Sequence, residues 1–239
     1  VECHDRVKTV KESAFAICPS LTRVIMRGVE VVEDDVFRFC KALRYVECDM
    51  LEIVGEWAFE SCRSLTSINL PSAKIVNRSA FYNCKALMNI EFGKELESVG
   101  EVAFGCCKSL QRITIPLKDG IITADDTFQG CKILKHVDLV EGAVLRDTID
   151  ALLLEEWRND MNEEINAINQ ILPTVNAGCG YCDAGEMALV IRTWIRSVLR
   201  KVIHYKAEHQ RFVEEAATSL QLALPRDIVM NNVLPFLKL

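Results

Sequence analysis

Apolar residues return along the first part of the chain at a near-fixed interval. Phe15, Phe37, Phe59, Phe81, Phe104 and Phe128 each open the pattern F-x-x-C-x-x-L, and successive phenylalanines stand 22, 22, 22, 23 and 24 residues apart. The pattern closes on Leu21, Leu43, Leu65, Leu87, Leu110 and Leu134. A period of this length marks a solenoid, in which each unit buries its apolar side only by stacking on its neighbours. Within one unit Ala80, Phe81, Cys84 and Leu87 are spaced like one side of a helical turn, whereas Leu65, Ile68 and Leu70 pass into alternation. The change of period predicts a short helical or 3₁₀ segment leading into a strand with Ile68 and Leu70 inward. Pro71, Gly93 and Pro116 end three of these strands, and a second apolar pair, such as Ile53-Val54, Ile75-Val76 or Ile121-Ile122, is expected to line the return side of the coil.

Beyond residue 144 the period changes. Ile149, Leu153, Trp157, Met161, Ile165, Ile168 and Leu172 fall in steps of three or four, the stripe of one amphipathic helix that Pro173 ends. After the loop-like Gly178-Cys179-Gly180-Tyr181, helical spacing resumes through Met187, Val190, Trp194, Val198, Val202, Tyr205, Phe212, Ala216 and Leu220. The reading is an α/β solenoid over 1–144 and a helical C-terminal cap or tail over 145–239, with helices at about 147–172 and 185–224 and a short one at 226–234. The first long helix carries Glu155, Glu156, Asp160, Glu163 and Glu164, the second Arg192, Arg196, Arg200, Lys201, Lys206 and Arg211, so the two are expected to pair as an antiparallel hairpin.

The combination L-x-x-I-x-L-P followed by A-F-x-x-C, clearest from Leu65 to Cys84, resembles the BspA-like leucine-rich repeats. The likeness runs from residue 1 to about 140 and departs at Thr127-Phe128, where the alanine before the phenylalanine is lost. It implies a right-handed leucine-rich-repeat coil and a role in adhesion or protein interaction. The later segments Glu155–Glu164 and Trp194–Lys201 are similar to a helical C-terminal segment of diatom repeat proteins, a family without a settled activity. Residues Leu224 to Leu237, with Pro225 and Pro235, are similar to the opening of an F-box, the module that recruits a ubiquitin ligase.

Composition narrows the chemistry. Half of the 239 residues are hydrophobic, which is ample for a core, and the net charge of −6 disfavours nucleic acid, whose phosphates call for clustered positive charge. No stretch has the ~18 consecutive apolar residues of a membrane span. Opening residues Val1-Glu2-Cys3 echo Val46-Glu47-Cys48, as though the chain started inside an earlier repeat. Of the eleven cysteines, Cys18, Cys40, Cys62, Cys84, Cys107 and Cys131 recur once per repeat, as buried small hydrophobes in a reducing, intracellular setting do. Cys179-x-x-Cys182 with His204 and His209 supplies zinc-type ligands, but His204 lies about 28 Å along the helix from that loop. Neither metal nor cofactor is expected. His4, His136, His204 and His209 adjoin no nucleophile motif, and Asp34-Asp35 and Asp125-Asp126 read as surface turn residues, so an enzyme is not expected.

The expectation is a non-catalytic scaffold that binds a protein partner. A ligase substrate receptor is the alternative, and a zinc or enzymatic protein comes third. If Val1, Val24, Val46, Ile68, Ile90, Ile113 and Val137 point inward, the neighbouring positions form two outward columns. One holds Glu2, Ile25, Glu47, Asn69, Glu91, Thr114 and Asp138; the other holds Arg23, Tyr45, Ser67, Asn89, Arg112 and His136. Their carboxylates would favour a basic or amide-rich partner. Arg192, Arg196 and Arg200 on the second helix are the alternative surface for an acidic one.

Overall fold

The computed structural model describes residues 1–140, 149–152, 154–172 and 184–223, with side chains over 185–219 in the last stretch. Among these residues eleven short strands precede two long helices: β1 Thr9–Val10, β2 Arg23–Ile25, β3 Val31–Val32, β4 Tyr45–Glu47, β5 Ile53–Val54, β6 Ser67–Leu70, β7 Ile75–Val76, β8 Asn89–Phe92, β9 Ser98–Val99, β10 Arg112–Ile115 and β11 His136–Leu139, then α1 Glu155–Ile171 and α2 Ala184–Ala223. Every strand pairing is parallel, and the registers Val24↔Val46 and Ile68↔Ile90↔Ile113↔Val137 place each repeat directly on the last. The coil is therefore a parallel β-solenoid followed by a helical region. Parallel strands need a crossover, and here the rest of each repeat supplies it.

Each coil has three sides. The longer strands form one side, ordered β2-β4 and then β6-β8-β10-β11, while β1-β3-β5-β7-β9 form a continuous second sheet. On the third side the phenylalanine segment is a run of turns rather than the helical segment its spacing suggests. The N–H groups of Ser79, Phe81 and Asn83 donate to Glu101, Ala103 and Gly105 of the next coil. Those between them, on Ala80, Tyr82 and Cys84, donate three residues back. A helix would direct every N–H within the segment, whereas alternate bonds stitch coil to coil and demand a left-handed backbone at every fourth residue. Ser79 and Asn83 adopt it at φ 54° and 61°, as do Ser13, Asp35 and Ser61 in other coils.

Inside, Phe15, Phe37, Phe59, Phe81, Phe104 and Phe128 form one stack, with ring centroids 5.1–5.6 Å apart. The inward strand positions Val24, Val46, Ile68, Ile90, Ile113 and Val137 are buried. Val1 is the exception at 52% exposed, although its backbone pairs with Arg23 and Ile25. Of the return pair, Val54, Val76, Ile121 and Ile122 are buried. The repeated thiols sit in equivalent places: Cys40, Cys62, Cys84, Cys107 and Cys131 donate to the carbonyls of Phe15, Phe37, Phe59, Phe81 and Phe104 at 3.0–3.2 Å. They are small hydrophobes that also satisfy a backbone acceptor. Burial holds the thiols of Cys84, Cys107 and Cys131 well above the ordinary range and pushes that of Cys48 up to about 12.

One discontinuity marks the longer-strand face. No ladder joins β4 to β6, and Cys48 Sγ lies 3.8 Å from the Asn69 carbonyl where a backbone bond would be expected. Farther along, Asn169 of α1 accepts the Val137 N–H at 3.1 Å, so a helix side chain caps the last strand's edge. Arg192 of α2 pairs with Asp125 of the last turn segment. Met187, Ile191, Trp194 and Ile195 are buried there too.

The chain divides into two compact units, Val1–Val140 with Ile168–Ile195, and Glu141–Ala167 with Arg196–Leu239. Within the second unit Lys201 pairs with both Asp160 and Glu164 at 2.9 Å, and Tyr205 donates to Asp160 at 2.7 Å. Trp157 meets Tyr205 and Phe212 at 5.3 and 5.7 Å. Later residues of α1 thus face earlier residues of α2, the antiparallel pairing expected from their charges. Residues 151, 152 and 154 are not helical, so the first long helix begins at Glu155 instead of near 147. Leu153, the Leu220 side chain, the short helix at 226–234 and the F-box-like stretch lie outside the described residues.

Candidate functional site

Alternation in a parallel ladder sends every second side chain to the outer face. The registers Arg23↔Tyr45 and Ser67↔Asn89↔Arg112↔His136 form one outward column, and Ile25↔Glu47 and Asn69↔Glu91↔Thr114↔Asp138 the other. Glu2 joins the second column through its bridge to Ile25. Arg23, Tyr45, Asn69, Glu91, Arg112 and His136 are exposed, whereas Glu47, Thr114 and Asp138 are half-buried.

At the N-terminal end these side chains form a connected network. The Arg23 guanidinium lies 4.7 Å above the Tyr45 ring, and the Tyr45 hydroxyl donates to Glu47 Oε2 at 3.2 Å. Glu47 Oε1 accepts from Arg27 Nε at 2.5 Å, and Arg27 also reaches Glu2 at 3.6 Å. Arg27 first, and the Tyr45 hydroxyl after it, hold the Glu47 carboxyl below the ordinary range. Tyr45 stays 46% exposed while both its ring face and its hydroxyl are fixed. A pre-set aromatic of this kind loses little conformational freedom on binding. At the other end Arg112 pairs with Asp138 at 2.5 Å. Carboxylates that look acidic as a column are therefore largely neutralised across neighbouring coils.

Arg27 lies just beyond β2, and the alternation within strands gives no reason to pick it. Also unanticipated is a cluster on the turn side, where Arg38 lies 5.0 Å from the Phe39 ring and 5.7 Å from that of Trp57. The same guanidinium pairs with Glu60 at 2.6 Å and Asp35 at 3.1 Å. Phe39 and Trp57 adopt φ of 58° and 51°, a backbone that bulky residues take only at a cost.

On α2, Arg192 is engaged with Asp125, while Arg196 and Arg200 are exposed. Arg192 thus spends its charge on Asp125 of the solenoid. Cys179 and Cys182 lie outside the described residues. Among the described residues no three His, Cys, Asp or Glu side chains gather as metal ligands, and no helix is long and apolar enough to cross a membrane. His209 is buried, and neither ring nitrogen has a partner among the described residues. Asp34 accepts the Glu56 N–H at 2.7 Å, the turn role its position suggests.

Parallel coils of this period, with one strand face of aligned side chains, define a leucine-rich-repeat protein. The chain belongs to the BspA type leucine rich repeat family, whose repeat region matches residues 1–77 and 52–147 in six copies. Among solved structures it is similar to a T. pallidum leucine rich repeat protein at 24% identity and TM-score 0.52, over 58% of this chain and 68% of that one. It is also similar to a leucine-rich repeat protein from Bacteroides ovatus, at 22% identity and TM-score 0.46, over 59% of this chain and 42% of that one. A leucine rich cell surface protein from Faecalibacterium prausnitzii matches at 22% identity and TM-score 0.40, over 62% of this chain and 33% of that one. No curated protein matches the chain. Proteins built from such repeats typically act as protein-interaction scaffolds.

Proposed function

We propose that the chain is a non-catalytic scaffold that binds a protein partner through the face formed by its longer strands. The observation that carries this reading is the Arg23–Tyr45–Glu47–Arg27–Glu2 network, which holds an exposed aromatic in one orientation without covering it. Aromatic and arginine side chains dominate binding energy at protein interfaces, and a rigid anchor meets its partner at lower entropic cost. The contact residues in this reading are Glu2, Arg23, Tyr45, Glu47, Asn69, Glu91, Arg112, Thr114, His136 and Asp138. The proposed division keeps residues 1–144 as the binding solenoid and 145–239 as its cap. The net charge of −6 supports a protein partner over nucleic acid. Thiols used as hydrogen-bond donors along the core support a reducing, intracellular location.

Affinity capture from cells of the source organism tests the reading, with Tyr45→Ala plus Glu47→Lys compared against Arg196→Glu plus Arg200→Glu. A partner lost by the first variant and kept by the second supports it. Retention by the correctly folded first variant, with loss by the second, would move the interface to α2.

A further inference from the structure

The middle of the strand face differs from both its ends. Charged side chains at the ends are closed on one another, through Arg27 with Glu2 and Glu47, and through Arg112 with Asp138. Between them Ser67, Asn69, Asn89, Glu91 and Thr114 stand on β6, β8 and β10, and their side chains make no hydrogen bond or ion pair among the described residues. Glu91 is an exposed carboxylate in the middle of the patch with no cation paired to it among the described residues. Asn69, Asn89 and Thr114 beside it are neutral and offer both donors and acceptors, and the diagonal Arg112 is held by Asp138.

The patch spans strands about 4.8 Å apart, with successive outward positions about 6.6 Å apart along each strand. A flat field of carboxamides and hydroxyls complements the alternating N–H and C=O groups of an extended backbone. The exposed Glu91 carboxylate favours a cationic ligand over a polyanion. A pyranose ring gains from stacking on an aromatic face, which Ser67, Asn69, Asn89, Glu91 and Thr114 do not offer, and the nearby Tyr45 ring carries Arg23 at 4.7 Å. Resting on the reading of this face as the interaction surface, we infer that its centre takes an extended peptide segment of a partner protein bearing a lysine or arginine. Glu91 receives the cation, and the Asn69 and Asn89 carboxamides bond the peptide backbone.

The test uses the full chain and a displayed library of random dodecapeptides, followed by anisotropy titration of the selected peptides and a parallel screen of a glycan array. Selected peptides should share a lysine or arginine whose replacement by alanine weakens binding about fivefold, the scale of one exposed ion pair. Glu91→Gln should weaken them by the same factor and flatten the salt dependence, while Glu91→Lys should select peptides with Asp or Glu at that place. Those outcomes support the inference. Peptides indifferent to Glu91 and to their own cation but lost with Tyr45→Ala plus Glu47→Lys overturn it and leave the strand-face reading standing. Binding unaffected by either set overturns both. Selection of no peptide, or binding of glycans alone, overturns the peptide inference.

Discussion

Phe81 is the most exacting place to test the stacking principle of the coil. Its ring is fully buried, 5.2 Å from Phe59 and 5.6 Å from Phe104, in a coil covered by neighbours on both sides. Removing roughly 200 Å² of aromatic surface from the core at about 25 cal/mol per Å² forfeits about 5 kcal/mol, partly offset by the alanine methyl and local collapse. Phe81→Ala should therefore cost about 3–5 kcal/mol. Phe15→Ala makes the discriminating comparison, because Phe15 is only half-buried and stacks on Phe37 alone. It should lose about half as much or less, since less of its ring is buried and it meets one ring where Phe81 meets two. Urea unfolding gives the two free energies. Hydrogen exchange should place the damage of Phe81→Ala in the Phe59, Phe81 and Phe104 coils. Equal losses for both variants, or none for Phe81→Ala, would refute the account of a core held by neighbour stacking.

Further outcomes follow from single residues. Unfolded thiols ionise from the ordinary value of 9.0, whereas folded Cys48 keeps its proton up to about 12, so its stabilising contribution is present below pH 9 and drains away between 9 and 12. A melting temperature flat across that window, after correction for lysine and tyrosine titration, would contradict it. Cys84, Cys107 and Cys131, whose burial also holds the thiol protonated, should resist a thiol reagent at pH 8 until the protein unfolds. Gly93→Ala places a methyl against the Pro71 carbonyl and should cost about 1–3 kcal/mol in chemical denaturation. Replacing His209, buried with both nitrogens unpartnered among the described residues, by Leu should raise stability by about 1–2 kcal/mol, and a lower melting point would show that the ring has a partner.

The coil was legible because parallel stacking converts sequence separation into contact. A residue 22 positions on lies on the next coil at the same place, so Phe37 meets Phe59 and Val24 meets Val46. The turn segment was not legible, because apolar spacing of three and four is shared by a helix and by consecutive turns. What separates the two is where alternate N–H groups go, and only left-handed positions betray it in the residues. Asp35, Ser79, Asn83 and Gly130 are types that accept positive φ, but Ile17, Phe39 and Trp57 occupy equivalent turns and obscure the signal. Helix α1 starts later than its stripe because Ile149 and Leu152 are buried without continuing the helical backbone to Glu155.

For the strand face, alternation found which side chains point outward but not what they do to one another. Counted as a column, Glu2, Glu47, Glu91 and Asp138 suggest an acidic surface. Arg27 changes that sum, and it comes from the segment after the strand, where period two no longer applies. Arg112 changes it again from the neighbouring column. Pairs already closed across coils are weakened by salt on the free protein as well as in a complex, so they add little to the salt dependence of binding. Glu91 is the carboxylate of that column that has no paired cation among the described residues. The salt response of binding should thus track one charge rather than four, and Glu91→Gln should remove most of it while Glu2→Gln leaves it nearly intact.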